Sequence, residues 1–165
     1  MSDKRYGVGI VPGSFDPITI GHLDIIERAL ELCDKVYVAV MINSEKQYMF
    51  DLDTRLVLAV SACEGMDGVS VISSEGMLYE LCRKLSAEVI VKGVRNDVDR
   101  AYEEKMAEYN SSMYPSAKTL LLEANDALTQ LSSTSVRELI NSGGSLEGYL
   151  PRAVINKIKE MRDSI

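Results

Sequence analysis

The stretch Gly13-Ser14-Phe15-Asp16-Pro17-Ile18-Thr19-Ile20-Gly21-His22 has the make-up of an anion-binding turn. It follows an apolar run, Tyr6 to Val11, and ends in Gly-His where a helical pattern begins. Glycine lacks the Cβ that would hold a phosphate off the backbone, and the first N–H groups of a helix have no partner within it. His22, the one histidine of the chain, falls in the first helical turn. An imidazole placed there can donate a hydrogen bond to a phosphate oxygen as charge builds in a transition state. A second run of similar character, Ser132-Ser133-Thr134, precedes another apolar helical stretch. A cap needs one hydroxyl, so this run with Arg137 a turn later exceeds capping, and Ser135 with Glu138 has the spacing of a capping box.

Elements that could position these residues alternate along the chain. Strand-like runs rich in β-branched residues are expected at Tyr6 to Val11, Lys35 to Met41, Val69 to Ile72, Glu88 to Val91 and Lys118 to Leu122. Helical spacing is expected from His22 to Leu32, through Arg55 to Val60, from Met77 to Leu85 and from Asp99 to Met113. Two more helices follow, Ser133 to Asn141 before Gly143-Gly144, and Pro151 to Met161 with proline at its start. This alternation predicts a single α/β domain over residues 1–165: a Rossmann-like, five-stranded parallel sheet with helices on both faces. Ligands of such sheets bind beyond the carboxyl ends of the strands. The loops at issue are Pro12 to Ile20, Ile42 to Leu52, Ser73 to Gly76, Lys92 to Asp97 and Glu123 to Ser132.

Composition narrows the class. The 165 residues are 46% hydrophobic and 26% charged, the balance of an ordinary soluble protein. No run approaches the ~20 apolar residues of a membrane span. Met1 to Arg5 lead straight into the first strand, whose apolar run is too short for a signal-peptide core, so the cytoplasm is the expected compartment. Cys33, Cys63 and Cys82 form no Cys-x-x-Cys pair and fall within or at the end of helical segments, which predicts buried thiols. A net charge of −7 speaks against nucleic-acid binding, and the absence of a span against a membrane role. An acidic chain can still bind polyanions if its cations converge in one cleft.

The two runs carry a family resemblance. Gly13-Ser14-Phe15-Asp16-Pro17 with Gly21-His22 resembles the G-[TS]-F-D-P-x-x-x-G-H signature of the nucleotidyltransferases related to class I tRNA synthetases. Leu131-Ser132-Ser133-Thr134-Ser135-Val136-Arg137 resembles their I-S-S-T-x-V-R element. Between them, Asn43-Ser44-Glu45-Lys46 with Met49-Phe50, Val89-Ile90-Val91-Lys92-Gly93-Val94-Arg95, and Asp99, Tyr102-Glu103 and Asn110 are similar to phosphopantetheine adenylyltransferases. The likeness runs from Tyr6 to about Lys159. Lys92 stands where many members have arginine, Leu128 where tryptophan is frequent, Ile20 for asparagine and Ser14 for threonine. Lysine keeps the charge without the bidentate fork.

The resemblance implies transfer of AMP from ATP to 4′-phosphopantetheine, with His22 and Lys46 catalytic. It implies Ser14, Lys46, Leu78 and Lys92 at the acceptor. It implies Ser14, Phe15, His22, Gly93, Val94 and Arg95 at ATP, together with Glu103, Leu128, Leu131, Ser132, Ser133 and Thr134. Asp51, Asp53, Glu64 and Glu104 read as solvated faces or caps, and Tyr102 as packing. Mg²⁺ would come with ATP, on the triphosphate oxygens, with no protein ligand assigned. A homohexamer and inhibition by coenzyme A are further implications. Direct displacement at phosphorus needs alignment and charge neutralisation rather than a protein nucleophile, which fits a chain without a Ser-His-Asp or Cys-His pattern. The alternatives are a sibling enzyme (a nicotinate-mononucleotide adenylyltransferase or a cytidylyltransferase) and a nucleotide-sensing protein without turnover.

Overall fold

Five parallel strands lie in the order β3-β2-β1-β4-β5. In the computed structural model, which describes residues 4–163, they are β1 (Tyr6–Gly13), β2 (Cys33–Met41), β3 (Val69–Ser74), β4 (Val89–Val94) and β5 (Lys118–Glu123). Met1, Ser2 and Asp3, expected to lead into the first strand, lie outside the described residues. The helices are α1 (Ile20–Leu32), α2 (Leu52–Ala62), α3 (Leu78–Leu85), α4 (Asp97–Met113), α5 (Ser133–Ser142) and α6 (Arg152–Asp163). The expected Rossmann-like architecture is the observed one. No helix among the described residues is long and apolar enough to cross a membrane.

Alternation along each strand sorts the core into two layers. Val11, Val36, Val38, Val40, Val89 and Val91 face one side, where Ile26, Ala29, Leu58, Val136, Val154 and Ile158 of α1, α2, α5 and α6 pack on them. Ile10, Ala39 and Ile90 face the other side, against Leu81 and Cys82 of α3. The three cysteines are buried and unpaired.

Most elements run a few residues beyond the sequence reading, and two boundaries change what the residues do. Helix α1 passes directly into β2, so Cys33 is the first residue of a strand rather than the end of a helix. Strand β4 continues through Lys92, Gly93 and Val94, which pair with Leu121, Leu122 and Glu123 of β5. A lysine and a glycine break the apolar, β-branched pattern, and the ladder to β5 outweighs that local signal. Gly93 is needed there: a Cβ on it would lie 2.9 Å from Ile25 Cγ1, so glycine lets α1 pack directly on β4.

Strand order reverses between β1 and β4, and the ends of these two strands open onto a crevice. That crevice is the site.

Candidate active site

A cleft of about 590 Å³ lies at the carboxyl ends of β1 and β4. Its lining includes Ser14, Phe15, His22, Lys46, Lys92, Gly93, Arg95, Glu103, Leu128, Leu131, Ser132, Ser133 and Thr134. Segments more than a hundred residues apart in sequence therefore meet in one place. Of the residues that the resemblance assigns to catalysis, the acceptor or ATP, only Leu78 and Val94 are not in this lining. Leu78 borders a second cavity of about 100 Å³, which shares Lys92, Tyr102 and Glu103 with the first. Val94 is buried and outside the lining, and its carbonyl accepts from the Ala124 N–H. The loop after β3, considered above, contributes nothing to the lining.

His22 sits in a capping box with Thr19, the N-cap of α1. The Thr19 N–H donates to Nδ1 at 3.0 Å, while the His22 N–H donates to Thr19 Oγ1 at 3.3 Å. With Nδ1 accepting, the ring proton resides on Nε2. Burial above all, and then the charges of Lys92 and Arg95, lower its pKa from 6.5 to about 4. The ring is therefore neutral and a hydrogen-bond donor through Nε2 across the physiological range. The residue thus caps α1 and lines the cleft at once. The buried ring of Phe15, at φ 47°, meets the imidazole edge to face at 4.8 Å between centroids. Phe15 thus supports the histidine from beneath.

At α5 the N-cap is Ser132, and its capping box is closed by Ser135, not by Ser135 with Glu138. Ser132 Oγ accepts from the Ser135 N–H at 3.1 Å, and Ser135 Oγ returns to the Ser132 N–H at 3.3 Å. Ser133 Oγ donates to the Pro17 carbonyl at 3.2 Å, and Thr134 Oγ1 accepts from Arg137 Nη2 at 3.0 Å. The extra hydroxyls thus bind α5 to the first loop. Ser133 and Thr134, whose N–H groups no intrahelical carbonyl can reach, line the cleft at the start of this helix.

Three cations of the cleft come from the loop after β2 and from the end of β4. Lys46 Nζ lies 3.5 Å from Ser14 Oγ. Lys92 Nζ pairs with the half-buried Glu103 at 3.5 Å, and Arg95 Nε with Asp99 at 3.0 Å. Glu103 therefore faces inward, whereas Glu104 is exposed. Tyr102 is 61% exposed and stands where the two cavities adjoin, not in the packed interior. Asp51 caps α2, accepting from the Thr54 N–H at 2.8 Å.

Sequence reasoning passed over two buried charges. Asp16 is 3% exposed, and its carboxylate accepts the N–H groups of Met49 and Phe50. Arg55 is 1% exposed, donates to the carbonyls of Ser14, Met41 and Phe50, and lies against the Tyr48 ring. A signal existed for the second, since Arg55 shares the inner face of α2 with Leu58 and Ala59 at helical spacing.

A parallel sheet in this order, with two helix N-termini and a cluster of cations at its switch point, defines a nucleotide-phosphate site. The cytidylyltransferase-like family model matches residues 10–139, and the chain belongs to that class. It is 38% identical to the phosphopantetheine adenylyltransferase of Streptococcus uberis over 165 residues, 99% of this chain and 98% of that protein. It is 40% identical to that of Clostridium novyi over 159 residues, 94% and 99% of the two chains. The Limosilactobacillus reuteri protein of the same name is 36% identical over 153 residues, 93% and 88%. Within the class, the chain belongs to the phosphopantetheine adenylyltransferase family.

Proposed function

We propose that the chain transfers AMP from ATP to 4′-phosphopantetheine, giving dephospho-coenzyme A and pyrophosphate. The observation that carries this reading is the meeting of Lys46 Nζ and Ser14 Oγ, 3.5 Å apart, in the cleft that His22 also lines. An oxygen of the acceptor phosphate forms a bond to the α-phosphorus of ATP. The bond from that phosphorus to the bridging oxygen breaks, and pyrophosphate leaves with the electron pair. The acceptor is already anionic, so no general base is required.

His22 donates through Nε2 to the developing charge, and Lys46 offsets that charge. Ser14 and Lys92 hold the acceptor phosphate, with Leu78 and the smaller cavity taking its apolar portion. Gly93, Arg95, Glu103, Leu128, Leu131 and the run from Ser132 to Thr134 hold the nucleotide. The hydroxyls, lysines and arginines of the cleft suit phosphate oxygens better than a bare cation. Mg²⁺ would accompany ATP on its triphosphate oxygens, where it would supply charge neutralisation, with no protein ligand assigned. Coenzyme A, which unites parts of both substrates, is proposed as a ligand of the same cleft.

The compartment proposed is the cytoplasm, where the three unpaired thiols would stay reduced. A homo-oligomer, a hexamer on family grounds, is supported by an exposed apolar stripe along α4. Val98, Tyr102, Met106, Tyr109 and Met113 recur there at helical spacing.

The deciding assay is pyrophosphate release from ATP with phosphopantetheine, nicotinate mononucleotide or glycerol 3-phosphate as acceptor. Turnover with phosphopantetheine alone is expected; turnover with either competitor instead would overturn the substrate assignment. ATP binding without turnover on any of the three would leave a nucleotide sensor.

A further inference from the structure

We propose that Asp16 is a positioning residue: it locks the loop that carries Lys46 onto the loop that carries Ser14, and joins both to α5. The proposal rests on the adenylyl-transfer reading above and concerns a residue to which that reading gives no part. The two oxygens of the Asp16 carboxylate are divided between successive peptides. Oδ2 accepts the Met49 N–H and Oδ1 the Phe50 N–H, each at 2.9 Å. Arg137 of α5 donates to the Asp16 carbonyl at 2.9 Å and lies 3.8 Å from Oδ2. Three segments of the cleft therefore converge on one buried carboxyl group.

Arg55 completes the arrangement from the opposite side. Its Nη1 donates to the Ser14 carbonyl at 2.8 Å and to Met41, the end of β2, at 3.1 Å. Its Nε donates to the Phe50 carbonyl at 3.2 Å. The Phe50 residue is thus held at its N–H by Asp16 and at its carbonyl by Arg55. Lys46 lies between these anchors, in a loop fastened at Met41 and again at Met49 and Phe50.

Burying a carboxylate and a guanidinium costs desolvation that apolar packing would avoid. All the contacts just described between these two side chains and the loops are to backbone groups, so the return is loop geometry. A flexible lysine needs that geometry, because a misplacement of about 1 Å can cost on the order of 10²-fold in rate.

The test is a double-mutant cycle in the pyrophosphate-release assay, paired with hydrogen exchange on the unliganded protein. Asp16→Asn should lower kcat about 10- to 100-fold, with KM for ATP changed far less. In a Lys46→Ala background, Asp16→Asn should add little further loss, because the residue it positions is gone. The Met49 and Phe50 amides should exchange faster in Asp16→Asn, while those of β1 and β4 keep their protection. A merely structural Asp16 would give the same fold-loss in both backgrounds, and that result, or unchanged exchange at residues 49 and 50, would overturn the proposal. Exchange needs no substrate, so a wild-type protein inactive toward phosphopantetheine would refute the function while exchange still decided the loop. If Asp16→Asn does not fold, Arg55→Lys serves instead: it keeps the charge, loses the fork across three carbonyls, and should show the same kcat-selective loss.

Discussion

The protonation of His22 offers the sharpest check on the site, because this is the chain's only histidine and its imidazole signals are unambiguous. A fall in pKa from 6.5 to about 4 amounts to roughly 3 kcal/mol of preference for the neutral ring. Burial is the first cause, ahead of the positive charges of Lys92 and Arg95. An NMR titration of the unliganded protein should therefore show no His22 inflection between pH 5.5 and 8, where an ordinary histidine titrates. Nitrogen shifts should report a proton on Nε2, since Nδ1 accepts from Thr19. Lys92→Ala or Arg95→Ala should raise the pKa only part of the way, because burial remains. The same shift has a stability consequence. Unfolded chains take up a proton near pH 6.5 and folded ones only near 4, so stability falls as pH drops through that interval and is unaffected above it. A ring that titrates near 6.5, or carries its proton on Nδ1, would refute both the buried environment and the donor role assigned to Nε2.

Other substitutions separate the parts of the site. His22→Ala should lower kcat by about two orders of magnitude, with much less change in ATP affinity by calorimetry, the pattern of losing one preorganised donor. Lys92→Ala should weaken phosphopantetheine binding by roughly 1.5–3 kcal/mol, while Lys92→Arg retains it; both are read by calorimetric titration of the acceptor. Gly93→Ala would bring a Cβ to 2.9 Å from Ile25 Cγ1 and should destabilise the fold by about 1–3 kcal/mol, seen as a lower melting temperature.

The sheet was legible because apolar runs, most deeply buried in β1, β2 and β4, alternate with amphipathic helices. His22 and the Ser132 run were legible because glycine and hydroxyls before a helix are chemically specific. What the sequence concealed follows from distance and chemical ambiguity. Asp16 precedes a proline and reads as a turn residue; that its carboxylate would cap Met49 and Phe50 depends on a loop 33 residues away. The Lys92–Glu103 pair joins a strand end to the second turn of α4, a contact set by tertiary packing alone. Glu103 and Glu104 look alike in sequence, and only the rotation of α4 against β4 makes the first face inward.

The cations of the site are set among carboxylates that line the same cleft. The protein carries −7 overall, yet Lys46, Lys92, Arg95 and Arg137 all line one cleft. Three of these are held by carboxylates of the same chain: Lys92 by Glu103, Arg95 by Asp99 and Arg137 by Asp16. A phosphate that reaches Lys92 or Arg95 exchanges one anionic partner for another, which offsets part of the binding gain and adds orientation to what remains. Lys46 forms no ion pair among the described residues, and its contact there is the hydroxyl of Ser14. In the proposed reaction its charge would be the one left uncompensated where the two substrates meet. Interactions that strengthen only as charge develops raise kcat rather than affinity. In the proposed reaction the chain would therefore keep most of its site cations for holding phosphate in register, and leave on one lysine the charge that acts on the reacting atoms.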